Sequence, residues 1–229
     1  MLNTNTVLDL NNVHLTLSSR AGEVKILRGI NVKASAGQAI GIVGPSGSGK
    51  TSLLMVIAGL EAVTSGQISV SGETLNGRGE ESLAKFRRDN IGIIFQSFHL
   101  IPTMTALENV AVPLEFKGAR DALTRAKDGL VRVGLGHRLN HYPGQLSGGE
   151  QQRVAIARAV TSGAKILLAD EPTGNLDQET GSTIIDLLFE IKEREQATLL
   201  LVTHDRALAK RCDRILEVRD GLVSEGRSK

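Results

Sequence analysis

Tryptophan is absent from the 229 residues, tyrosine occurs once and phenylalanine five times. So few rings argue against a surface on which successive nucleic-acid bases stack. Cysteine is scarcer still. Cys212, in "KRCDR", stands alone, so no internal disulfide can form, and the pattern fits a reducing compartment and a plain structural thiol. Neither sign of charge dominates: the net charge is +2 and no Lys/Arg block stands out, which implies neither nucleic acid nor an anionic membrane surface as partner. No apolar run approaches the roughly 18 residues of a membrane span. The opening "MLNTNTVLDL" has no basic stretch followed by an apolar one, so no signal peptide is expected. No repeat, low-complexity tract or long linker interrupts the chain. What is left is an ordinary globular balance, 41% hydrophobic and 23% charged, long enough to bury a core.

Short β-branched runs recur: "VLDLNNV", "INVKA", "AIGIVG", "QISVSG", "IGIIF", "KILLAD", "TLLLVTH" and "RILEVRDG". Four of them, "AIGIV", "IGIIF", "KILLA" and "LLLVT", are almost wholly apolar, as central strands of a parallel sheet covered on both faces must be. The N-terminal runs alternate and read as antiparallel. "VRDGLVSEG" carries an Asp-Gly hairpin signal. Helical patterns fall between these runs, and "GSTIIDLLFEIKERE" sets Ile184, Leu187, Leu188 and Ile191 on one face. Residues 98–160 read as helical with no strand. The expected architecture is α/β: a phosphate-loop core with a mainly parallel sheet (1–97 and 161–229), an antiparallel β subdomain at its N-terminal side, and an inserted helical subdomain (98–160).

"AIGIVGPSGSGKTSLLMVIAGL" is a buried strand, a Gly-x4-Gly-Lys-Thr turn and a helix, the context a phosphate loop requires. Gly44, Gly47 and Gly49 let the backbone wrap an anion without Cβ clashes. The turn formed by Gly44, Pro45, Ser46, Gly47, Ser48 and Gly49, running into Lys50, Thr51 and Ser52, then aims N–H groups and a helix N-terminus at phosphate. Lys50 is expected to reach the β- and γ-phosphates of ATP, and Thr51 to ligate Mg²⁺. "KILLADEPTGNLD" is a strand that ends in two acids. Asp170 is placed to reach Mg²⁺ through water, and Glu171 to polarise an attacking water. His204, after "TLLLVT", and Gln96, closing "IGIIFQ", are strand-tip residues, where ligands of such sheets bind. Gln96 can contact both Mg²⁺ and the attacking water.

A second glycine-rich helix start, "LSGGEQQRVAIARA", lies about a hundred residues further on. Locally it is a capping box, Ser147 capping the helix and Glu150 reaching back. The pair Gly148-Gly149 leaves backbone N–H groups open to something outside. Two half-sites on one chain imply a head-to-tail pair of chains, each second loop closing on the other's γ-phosphate.

Taken together, "GPSGSGKT", Gln96, "LSGGEQ", "ILLADE", "GNLD" and His204, in that order, make the chain resemble the ATP-binding subunits of ABC transporters over essentially its whole length. "FQSFHLIPTMTALENVAVPL" narrows the resemblance to the bacterial branch of lipoprotein-release (LolD-like), macrolide-efflux (MacB-like) and YbbA-like ATPases, and most of all to the YbbA-like ones. The resemblance implies the ABC ATPase fold, ATP hydrolysis, and a chain peripheral to the cytoplasmic face of the bacterial inner membrane. It implies that Ser147, Gly148 and Gly149, beside Glu150, bind the partner chain's ATP, that Gln96 and Asp170 help hold Mg²⁺, that Glu171 is the general base, that His204 contacts the γ-phosphate and that Asp177 communicates across the dimer. It also implies two protein partners, a second copy of the chain and a separate integral membrane permease.

The segment "SFHLIPTM" gathers Phe98, Leu100, Ile101 and Met104 ahead of a second capping box, Thr105 with Glu108. These apolar side chains read either as core of the helical lobe or as a groove for a short cytoplasmic helix of the permease. One departure concerns adenine. Family members usually stack it on an aromatic before the first hairpin, yet no aromatic precedes Phe86; Leu17 is the expected occupant, with Arg20 the other candidate. A soluble ATPase acting on DNA or ribosomes would call for a coiled-coil insertion, a second ATPase unit or a basic face. A GTPase would call for Asn-Lys-x-Asp. Neither set is found, and a non-catalytic ATP-binding regulator fits poorly with Glu171 and His204.

Overall fold

The computed structural model describes residues 6–19 and 22–226, so Arg20 lies outside the described residues. In chain order the elements are β1 (Thr6–Ser19), β2 (Gly22–Ser35), β3 (Ala39–Val43), α1 (Lys50–Ile57), β4 (Ser65–Val70), β5 (Glu73–Thr74), α2 (Glu80–Asn90), β6 (Ile91–Phe95), α3 (Ala106–Phe116) and α4 (Ala122–Arg132). A 3-10 turn (Pro143–Gln145) follows, then α5 (Gly148–Thr161), β7 (Ile166–Asp170), α6 (Gln178–Arg194), β8 (Thr198–Val202), α7 (Arg206–Ala209), β9 (Arg214–Arg219) and β10 (Leu222–Glu225). They form two compact units. One is built from the chain up to Arg87 and from Thr198 onward, the other from Arg88–Ala197.

In the first unit β1 and β2 make a long antiparallel ribbon whose alternate residues Leu8, Leu10, Val13, Leu15, Leu27, Ile30 and Val32 are buried. The register shifts after Leu10, where Asn12 takes φ 50°, a left-handed conformation that asparagine tolerates. β4 and β5 extend the ribbon into a four-stranded antiparallel sheet. β3 runs parallel to both β8 and β9, and every residue of β3 and β8 is buried, as their apolar runs require. The Asp-Gly signal is a tight turn, with φ 50° at Asp220 and 73° at Gly221, that folds β10 back antiparallel on β9.

In the second unit β6 and β7 pair in parallel, from Ile91 opposite Ile166 to Phe95 opposite Asp170. Here one expectation is corrected. "IGIIF" is not a central strand: β6 pairs along one side only and ends its sheet, and Ile93 and Phe95 are half-buried. Its apolar face lies under α5. A Cβ on Gly92 would stand 2.4 Å from the Ala159 carbonyl, so only glycine lets that helix approach so closely. α3, α4 and α5 pack on one another, and their small residues Ala106, Ala111, Ala126, Ala155 and Ala157 are all buried. On α6 the expected face of Ile184, Leu187, Leu188 and Ile191 is buried, with Ile185 beside it. The helices α2 and α7 are not foreseen from periodicity. α2 is polar, with Phe86 its one buried large side chain, so it carries almost no apolar stripe.

Candidate functional site

The loop between β3 and α1 is tight. Gly44 has φ 154°, and a Cβ there would lie 2.0 Å from the Val218 carbonyl oxygen on β9 and 3.0 Å from Ser48 Oγ. Gly49 has φ 103° and sits over Ile26, whose carbonyl would be 3.0 Å from a Cβ. The β9–β10 turn braces the loop. The Gly221 N–H donates to Ser48 O (3.2 Å) while its own carbonyl accepts from Arg28 N (2.8 Å). The loop's outer rim, Pro45, Ser46 and Gly47, is exposed, as is Thr51; Ser52 and Lys50 are half-buried.

Helix α1 is the one to compare with its neighbours. α3, α5 and α6 are each capped by a side chain, Thr105, Ser147 and Asp177; like α4, which starts from Asp121, α1 begins from Gly49 with no side-chain cap and no acid in its first turn. Its N-terminal N–H groups and dipole therefore have no carboxylate or hydroxyl of the protein's own as cap, the arrangement a phosphate fills. Lys50 Nζ donates to the carbonyls of Gly44 (3.0 Å) and Pro45 (2.9 Å), so the amine closes the loop and is held at its rim. His204 lies exposed just beyond β8 in the same unit, and the following Asp205 caps α7. Leu17 pairs with Val24 across the first ribbon; both are exposed, at 40% and 48%, an apolar platform without a ring.

In the second unit Asp170 ends β7 and Glu171 follows it at φ 48°, a left-handed conformation uncommon for a side chain of its size. The turn is secured twice. Gly174 N–H donates to Glu171 O (3.0 Å), and Gln152 Nε2, wholly buried on α5, donates to Pro172 O (2.7 Å). Gln96 and Asn175 bond reciprocally: Gln96 Nε2 donates to Asn175 Oδ1 (3.1 Å) and Asn175 Nδ2 to Gln96 O (3.1 Å). Both capping boxes form. Ser147 Oγ accepts from Glu150 N (3.2 Å) and Ser147 N donates to Glu150 Oε2 (2.8 Å). Thr105 and Glu108 repeat the pattern. The bond from the Ser147 N–H, outweighing burial, and then the Arg138 guanidinium hold the Glu150 carboxyl below the usual carboxylate range. Asp177 caps α6 through Thr180 N (2.9 Å), and bonds from Thr180 lower its pKa in the same way.

The two glycines of "SGGE" part company. Ser147 is exposed and Gly148 half-buried, open to a ligand. Gly149 is buried, and a Cβ on it would stand 2.5 Å from Thr180 Cγ2. Its lack of a side chain lets α5 sit against the start of α6, a packing constraint that the motif alone does not reveal. Phe98 and Leu176 both lie near Gly148, 3.8 and 3.1 Å from where its Cβ would be. Phe98 and His99 are both left-handed, at φ 58° and 49°, and Arg158 clamps this turn by donating to both carbonyls at 2.8 and 2.6 Å. Burial pushes the Arg158 pKa below the usual arginine value. Asn109, itself buried, binds Ile101 N and O and Met104 O and fixes the next turn. Phe98, Leu100 and Met104 are half-buried and Ile101 is 37% exposed, so none of the four is a core residue. Asn175, Gln152, Arg158 and Asn109 are site-shaping residues that motif reading misses. They are polar residues inside recognised runs whose partners lie 4 to 79 positions away.

A family model described as "ABC transporter" matches residues 27–174. The chain belongs to the ABC transporter family. It is 46% identical over 221 residues to the uncharacterized ABC transporter ATP-binding protein YbbA of Escherichia coli K12, covering 96% of this chain and 97% of that one. It is 44% identical to the lipoprotein-releasing system ATP-binding protein LolD of Shewanella denitrificans, covering 96% and 95%. Among solved structures it resembles the dimeric post-hydrolysis state of the ATP-binding cassette MJ0796 bound to ADP and Pi, with a TM-score of 0.89, 40% identity, and 97% and 99% of the two chains covered. The chain is thus an ABC transporter ATP-binding protein with the ABC ATPase fold, of a family that hydrolyses ATP. Among the described residues no helix is long and apolar enough to cross a membrane.

Proposed function

We propose that two copies of this ABC ATP-binding protein join head-to-tail around two ATP molecules and drive a separate membrane permease of the lipoprotein-release or macrolide-efflux type. The observation that carries this reading is the second helix start. Ser147 and Gly148 are accessible at the head of α5, yet no ligand of their own chain is needed to explain the capped helix, and the related MJ0796 cassette is dimeric with ADP and Pi bound.

In this reading the uncapped start of α1 and Lys50 bind the β- and γ-phosphates, and Leu17 and Val24 carry adenine on an apolar face. Thr51, Gln96 and Asp170 offer a hydroxyl, an amide and one carboxylate to Mg²⁺. These are hard oxygen donors, too few to hold the ion alone, and no cluster of three or more His, Cys, Asp or Glu among the described residues provides such a site; a set like this is completed by phosphate oxygens and water. Mg²⁺, when bound, supplies neutralisation of the charge on the β- and γ-phosphate oxygens. Glu171 orients a water and takes its proton as the water oxygen bonds to the γ-phosphorus and the bond to the β-phosphate oxygen breaks, leaving ADP and phosphate. His204 contacts the γ-phosphate. Ser147 and Gly148 of the second copy close the site with Glu150 behind them, and Asp177 links the two copies.

The helical stretch 98–160 is the lobe that meets the permease. The accessible side chains of Phe98, Leu100, Ile101 and Met104, on turns held by Arg158 and Asn109, suit a short helix from the partner better than a core. The work is done at the cytoplasmic face of the inner membrane, a reading supported by the likeness to the lipoprotein-releasing system ATP-binding protein LolD. Glu171→Gln tests the reading. It is expected to bind ATP, to stop turning over, and to elute as an ATP-dependent dimer on gel filtration; near wild-type hydrolysis would show that Glu171 is not the base.

A further inference from the structure

We propose that Asn175 is a positioning residue that tethers Gln96 and decides which end of its amide faces the reaction. The two side chains are 79 residues apart in sequence and meet through two bonds, Gln96 Nε2 to Asn175 Oδ1 and Asn175 Nδ2 to Gln96 O, both 3.1 Å. The first commits the nitrogen of the Gln96 amide. The second holds the backbone on which that side chain hangs. The amide oxygen of Gln96 is left over, and oxygen is the donor Mg²⁺ takes. A rotated amide would present N–H groups to the same cation, so the tether separates a ligand from a repulsive dipole.

Gly174 belongs to the device. A Cβ there would stand 2.7 Å from Gln96 Nε2 and 2.9 Å from Cδ, inside contact distance, so a methyl at 174 would push the amide from its place beside Asn175. That loop begins at Glu171, strained at φ 48°, and ends at Asp177 on the cap of α6. Gln96 opens the segment that carries Phe98. The tether therefore ties the segment proposed to meet the permease to the loop that holds the proposed base, within one chain. Gln96 and Asn175 are both exposed, so the pair adds little to folding and Asn175 can be removed without opening a core.

The inference rests on the catalytic reading of Gln96, and the test separates the two. In nucleotide-free protein the Gln96 side-chain amide resonance is assigned by its loss in Gln96→Ala. It is expected to move in Asn175→Ala and Gly174→Ala, and to move less in Asn175→Asp, which keeps an acceptor for Nε2 but loses the donor to the Gln96 carbonyl. In steady-state assays Asn175→Ala is expected to lower kcat by roughly 2- to 10-fold, the worth of about one hydrogen bond. The KM for ATP should be unchanged and the Mg²⁺ concentration for half-maximal rate should rise, with Asn175→Asp, which restores only the bond from Nε2, recovering part of the rate. The double variant with Gln96→Ala should be no slower than Gln96→Ala alone. An unmoved amide resonance, or losses that multiply in the double variant, would overturn the tether. A resonance that moves while Gln96→Ala hydrolyses at the wild-type rate would leave the tether standing and remove Gln96 from the chemistry.

Discussion

Ser147→Arg separates damage to a chain's own site from damage to its partner's. In the free chain Ser147 is exposed and contributes one half of a capping box, its Oγ accepting from Glu150 N at 3.2 Å. Loss of that bond costs about 1 kcal/mol of helix stability. The other half survives, because it runs from the Ser147 backbone N–H to Glu150 Oε2 at 2.8 Å and needs no side chain at position 147. The fold should persist, and calorimetry should find ATP binding by the isolated chain unchanged. Turnover should fall by about 10²-fold or more, the usual loss when one donor to a developing charge is removed or displaced. A mixing experiment sharpens the point. Lys50→Ala carries an intact Ser147, and Ser147→Arg an intact phosphate loop. In a 1:1 mixture about half the pairs are mixed, each with one complete composite site, so steady-state ATPase should recover to at most about a quarter of wild type although both parents are inactive. Wild-type turnover by Ser147→Arg alone would refute the two-half-site reasoning.

Three further outcomes are expected. Lys50→Ala should weaken ATP by about 1.5 kcal/mol or more, roughly tenfold, the low end for a charged contact, because the amine must first leave the Gly44 and Pro45 carbonyls; unchanged affinity by calorimetry would count against the phosphate-loop assignment. Replacing Phe98, Leu100 and Met104 together with Asp should leave the thermal midpoint and ATP binding near wild type while abolishing co-purification with the co-expressed permease, and an unfolded triple variant would return these side chains to the core. Leu17→Tyr should tighten ATP by about 1 kcal/mol, roughly fivefold, and raise its preference over GTP; strong ATP selectivity in the wild type with no gain from tyrosine would mean that another residue carries the base.

Much of the site is legible because its signals are local. The phosphate loop needs glycines at fixed offsets between one strand and one helix, all within about twenty consecutive residues. The capping boxes at Ser147 and Thr105 span four residues each, and both form as the spacing requires. The apolar runs of β3, β7 and β8 announce buried strands for the same reason: burial on both faces leaves no polar position to disguise them. Tertiary structure alone decided the rest. Strand order put "IGIIF" at an edge and not in the middle. Helix approach requires small residues at Gly149 against Thr180 and at Gly92 against the Ala159 carbonyl, and the path of β9 explains why Gly44 can carry no side chain. Gln96 meets Asn175, and Arg158 meets Phe98 and His99, across 79, 60 and 59 residues. Periodicity encodes which face of an element is apolar. Which elements then become neighbours is set by the whole sheet and its helices closing together, and it is there that a polar side chain acquires the one partner that gives it a role.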